Sequence, residues 1–105
     1  MSLNAEEIRR TRRELQQNLA LTGLTVDDVA ADLEMDTESV RELLAMAGRR
    51  APAEVWLLRD YLEAAVTDTG GEPVPFTVLT EPSRRKAQRW FDLKPVPARR
   101  RTAEH

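Results

Sequence analysis

The segment from Leu24 to Leu44, LTVDDVAADLEMDTESVRELL, leaves the chain little choice of local structure. Thr25 is followed three residues on by Asp28, so each side chain can take the other residue's backbone N–H, a capping box with Asp in place of Glu. Asp27 and Asp28 place negative charge in the first turn, where the helix dipole favours it. Val29, Ala30 and Leu33 then share one helical face. Ala30 is small enough to let a second helix approach closely. Glu34-Met35-Asp36 forms the turn, with Met35 directed inward. Asp36 or Thr37 caps the second helix, and Val40, Leu43 and Leu44 supply its buried side. The expectation is two short helices crossed at close range around a tight turn.

Around this segment the chain offers further helices. Asn4 can cap a first helix running to about Leu21, with Glu7 completing the box and Gly23 ending it. Its buried stripe is predicted as Ile8, Leu15 and Leu19, with Thr11 or Arg12 between. Glu6 and Arg10, and Arg10 and Glu14, are four apart and can pair. Arg9, Arg10 and Arg13 fall mostly outside the stripe. A solvated, salt-bridged face is the simpler account of them, and phosphate contact the sharper one. Pro52 suits the first position of a long helix that Gly70 stops. That helix is apolar on two sides, through Val55, Leu58, Leu62 and Val66 and through Leu57, Tyr61 and Ala64 with Trp56 beside them. It is therefore either the centre of the monomer or a dimer seam. Trp56 and Tyr61 could line a ligand pocket, but aromatic residues at helical spacing are more often core.

PVPFTVLT, from Pro73 to Thr80, is extended in character. Pro73 and Pro75 lack an N–H, and no second strand-like run exists to pair with it. It is expected to lie over the helices or to pair across a dimer. Thr80 or Glu81 caps a last helix with Pro82 in its first turn. Ala87, Trp90 and Phe91 would dock that helix, and Arg84, Arg85, Lys86 and Arg89 would line the rest of it. The fold class is all-α: a small bundle of about five helices with one extended segment before the last. A single helical domain over 1–94 and a flexible basic tail over 95–105 complete the organisation.

Composition narrows the function classes. Hydrophobic residues make up 41% and charged residues 32%, which suits a globular chain. No apolar run approaches the roughly 20 residues a spanning helix needs. The opening MSLNAEEIRR has no apolar core of a signal peptide, so the cytoplasm is the expected compartment. There is no Cys, hence no disulfide framework or thiolate metal site. The one His is His105, at the chain end. No nucleophile–base set and no glycine-rich phosphate loop can be assembled, so an enzyme is not expected. Asp27, Asp28 and Asp32 could suggest a divalent cation, but capping and solvated charge explain them more simply. No cofactor, metal or small-molecule ligand is expected.

The segment Leu24–Leu44 resembles the helix-turn-helix of phage-repressor-type bacterial regulators. The shared positions are the small Ala30, the apolar Val29 and Leu33, the turn hydrophobe Met35, and Val40 and Leu43. Two positions depart from that pattern. Glu34 stands where the family usually has Gly at a left-handed position, and Val26 where phage repressors often place a phosphate-touching Gln. More widely, the chain to about Lys94 is similar to a small bacterial family catalogued as a domain of unknown function, number twenty-three sixteen. The opening MSLN, LTVDDVAADL, VWLLRDYLEAAV, PVPFTVLTE and the pair Trp90-Phe91 carry that similarity. It implies a helix-turn-helix-like helical fold and assigns no activity.

Two functions follow as expectations. In the first, the chain binds double-stranded DNA as a dimeric regulator or accessory protein. Thr37, Glu38 and Arg41 face bases, and Arg49 and Arg50 hold phosphate. In the second, it is a homodimeric protein-interaction module whose helix-turn-helix is scaffold, with Trp56, Leu57 and Tyr61 as dimer or partner surface. Charge separates the two. From Thr25 to Gly48 there are seven acidic residues and one basic, whereas from Ser83 to Arg101 there are eight basic and one acidic. A helix that enters a DNA groove needs positive surroundings, so the position of the arginines around it decides.

Overall fold

The computed structural model describes residues 3–47, 51–80 and 82–85. It contains four helices: α1 (Ala5–Thr22), α2 (Val26–Leu33), α3 (Thr37–Leu44) and α4 (Pro52–Asp68). The chain is helical again over 82–85. Among the described residues there is no strand, and the architecture is an all-α small bundle.

Each helix starts where its capping chemistry is. Asn4 and Glu7 exchange backbone bonds at the head of α1, at 2.8 and 3.1 Å. Thr25 and Asp28 do the same for α2, at 3.1 and 3.0 Å. Asp36 accepts from Ser39 N at the head of α3. Helix α4 begins on Pro52, whose missing N–H costs nothing there, and Glu54 reaches back to the Ala51 N–H.

The helix ends are equally local. After α4, Gly70 is left-handed at φ 87°, its N–H bonds Thr67 O, and the Gly71 N–H bonds Val66 O. That double closure is a Schellman motif. Two other helices close the same way without glycine. Glu34 ends α2 at φ 56° with Met35 N bonded to Ala30 O, and Met46 ends α3 at φ 53° with Ala47 N bonded to Glu42 O. A side chain at these positions carries roughly 1–2 kcal/mol of left-handed strain.

Helix α1 packs chiefly on α4, and α2 on α3. Val29, Ala30 and Leu33 of α2 meet Val40, Leu43 and Leu44 of α3 in one core, with Met35 against its edge. Leu15 of α1 and Trp56, Leu57, Leu58, Tyr61 and Leu62 of α4 complete it. A buried polar contact joins the two helix pairs: the Tyr61 hydroxyl donates to the Asp32 carboxylate.

The buried face of α1 differs from the predicted stripe. Its centre is Thr11, Leu15, Asn18 and Thr22, with Glu14 beside them, while Ile8 and Leu19 lie half-buried at the margin. The reason is what α1 faces. The extended segment 73–80 lies over α1 and α4, and with no strand to pair with, it takes its backbone bonds from side chains. Asn18 accepts from Val74 N at 2.9 Å and donates to Val74 O at 3.1 Å. Glu14 accepts from Thr77 N at 3.1 Å and from the Thr77 hydroxyl at 2.7 Å. Glu14 therefore does not make the expected pair with Arg10.

From α4, Arg59 Nε donates to Leu79 O at 3.1 Å, and its guanidinium lies 4.8 Å from the Phe76 ring centre. Phe76, Val78 and Leu79 are the buried residues of this strap. Thr80 then accepts from Ser83 N at the head of the final helical stretch.

Candidate functional site

The residues expected to read bases lie on α3. Asp36 fixes the first turn, and Val40, Leu43 and Leu44 are turned into the core. This leaves Glu38 and Arg41 exposed, with Thr37 half-buried next to them. The three share the outward side of the helix. Glu38 and Arg41 form an ion pair at 3.8 Å, with side chains 75% and 58% exposed. At that length and exposure the pair holds neither side chain firmly. Both can be redirected to a partner. Arg49 and Arg50, expected to hold phosphate, lie outside the described residues.

The other acidic residues of this half divide by role. Asp28 and Asp36 cap helices, and Asp32 is buried against Tyr61. Asp27 and Glu34 are exposed. Among the described residues, no group of acidic or histidine side chains is placed to hold a metal ion.

The expected dimer or partner surface is not at the surface. Trp56, Leu57 and Tyr61 are 2%, 6% and 0% exposed, covered by their own chain. The two apolar sides of α4 are filled by α1 and the core on one side and by the strap on the other. Among the described residues, Leu21 is the only large apolar side chain that is exposed. The helix is the centre of the bundle, which was one of the two readings its sequence allowed.

The first residue of the C-terminal basic run, Arg84, is also committed internally. Arg84 pairs with Asp60, Nη1 to Oδ2 at 2.7 Å, and its guanidinium sits 4.9 Å over the Trp56 ring. Arg59 is 6% exposed and bonds Asp60 and Glu63, each at 3.0 Å. Arg84 thereby ties the chain just beyond the strap to α4, and Arg59, which also bonds Leu79 O, ties the strap itself. The expected docking residues Ala87, Trp90 and Phe91, the basic Lys86 and Arg89, and the tail 95–105 lie outside the described residues.

Glu14, Asn18 and Arg59 are positioning residues that the hydropathy pattern of the sequence does not single out. One sign was available: the spacing Thr11, Leu15, Asn18, Thr22 is a complete helical stripe with three polar members. A polar stripe facing inward implies unpaired backbone opposite it.

By architecture, this is a small helical bundle in which two short capped helices are carried on a long central one. The chain belongs to the bacterial family described as "Uncharacterized protein conserved in bacteria (DUF2316)", whose model matches residues 1–92. No curated protein and no solved structure matches it. Among the described residues, no helix is long and apolar enough to cross a membrane.

Proposed function

We propose that this chain is a small DNA-binding protein, a transcriptional regulator or accessory factor, that presents α3 to the major groove. The supporting observation is the outward side of α3. Its inner side is locked by Val40, Leu43 and Leu44, its first turn by Asp36, and its outer side offers Thr37, Glu38 and a loosely paired Arg41. Arg41 can bond guanine O6 and N7, and Glu38 can accept from cytosine N4. Arg49 and Arg50 follow α3 in the chain and are assigned to phosphate. A dimer seam through Trp56, Leu57 and Tyr61 would have to expose core residues, so the binding unit in this proposal is the single chain.

The test is fluorescence anisotropy with labelled genomic fragments at low and physiological salt, for wild type and Arg41→Ala. The substitution should weaken binding by about 1–3 kcal/mol or relax sequence preference. Binding indifferent to Arg41 would turn the assignment to the second reading, a protein-interaction module. Its support is the exposed acidic residues Asp27, Glu34, Asp36 and Glu38 on and between α2 and α3, a surface suited to a basic protein partner.

A further inference from the structure

We infer that one face of α1, carrying Arg9, Arg12 and Arg13, is a phosphate-gripping surface for double-stranded DNA beside α3; this rests on the DNA-binding proposal above. Arg9, Arg12, Arg13 and Gln16 stand at i, i+3, i+4 and i+7, the spacing of a single helical face. Gln16 shows where that face lies, because its Nε2 donates to Leu44 O at 3.3 Å, at the last residue of α3. The three arginines are exposed on the same side.

Their charge is uncompensated for a structural reason. Helix α1 has three glutamates, and each is engaged elsewhere. Glu6 pairs with Arg10 at 3.6 Å, Glu7 caps the helix on Asn4, and Glu14 is turned inward to hold Thr77. Among the described residues, Arg10, Arg41, Arg59 and Arg84 all have carboxylate partners, whereas Arg9, Arg12 and Arg13 have none. The strap lies against Glu14 and Asn18, on the opposite side of the helix. The only cluster of free cations on α1 therefore faces the α3 side of the bundle. Arg9 and Arg13 are four residues apart, a rise of about 6 Å. A row of that length spans about two phosphates of one strand, which are spaced about 3.4 Å along the axis.

The probe is a fluorescein-labelled 25-base-pair duplex of mixed sequence, titrated with wild type and with R9Q/R12Q/R13Q at a series of salt concentrations. Each lost phosphate contact lowers the slope of log K against log salt by about 0.9. The triple variant should have a slope shallower by about two, R9K/R12K/R13K should retain the wild-type slope, and Arg85→Gln, exposed on another element, should leave it unchanged. Circular dichroism confirms that α1 is intact in each variant. An unchanged slope in the glutamine variant, with wild type still binding, overturns this surface and leaves the α3 proposal standing. A slope lowered as much per charge by Arg85→Gln overturns it as well, since the effect is then bulk charge. Wild type that does not bind the duplex even at low salt overturns both.

Discussion

Thr11 and Asn18 occupy the same inward face of α1, both fully buried, and their substitutions should move stability in opposite directions. Asn18 satisfies both backbone groups of Val74. Asn18→Ala leaves that part-buried N–H and carbonyl without their side-chain partner and should cost about 1–3 kcal/mol. The Thr11 hydroxyl has no hydrogen-bond partner among the described residues. Thr11→Val keeps the shape and removes an unpaired polar atom, and should stabilise by about 1 kcal/mol. Urea melts of the two variants check the pair; equal destabilisation would mean that the face simply tolerates no change. The difference between these neighbours also marks what a single sequence discloses. Asn4, Thr25 and Asp36 were legible as caps because each partner is three residues away. Asn18 and Glu14 were not, since their partners lie 56 and 63 residues on, and hydropathy periodicity assigns such residues to solvent.

Among the elements, the strap 73–80 depends on side chains of α1 and α4 in place of a sheet. Val74 N and Thr77 N are bonded by Asn18 and Glu14, whereas Phe76 N and Leu79 N have no partner among the described residues. Amide exchange should therefore be slowest at Val74 and Thr77. Arg59→Met keeps an apolar stem under the strap but removes the bond to Leu79 O and the contacts to Asp60 and Glu63. The expected result is faster exchange at Thr77 and a loss of about 1–3 kcal/mol, measured by hydrogen exchange and denaturant melts. Protection equal to wild type would show that apolar burial of Phe76, Val78 and Leu79 holds the strap without Arg59. The extended character of this segment was readable from its prolines and β-branched residues. Its seat was not, because nothing in the segment names the helices it covers. Helix α4 was readable as apolar on two sides, and only the strap's position shows why it needs both.

At the scale of the molecule, charge is sorted by direction. Exposed acidic residues cluster on α2 and α3, the free arginines of α1 share one face that reaches the end of α3, and Arg59 and Arg84 are enclosed in the strap contacts. In the sequence the basic C-terminal run is the conspicuous cation source, yet Arg84 is already paired to Asp60. The α1 arginines look neutralised by nearby glutamates until Glu14 is seen to turn inward. The candidate site on α3 was legible as a helix face; its electrostatic setting was not, since that depends on tertiary partners of acidic residues. A DNA ligand should therefore meet α3 and α1 together and leave the strap untouched. The most direct measurement is a titration of ¹⁵N-labelled protein with a short duplex, followed by amide chemical shifts at low and then physiological salt. Perturbations should concentrate at Thr37, Glu38 and Arg41 and along Arg9 to Gln16, and fade as salt rises. Perturbations confined to α4 and residues 74–80, or none at low salt, would contradict it.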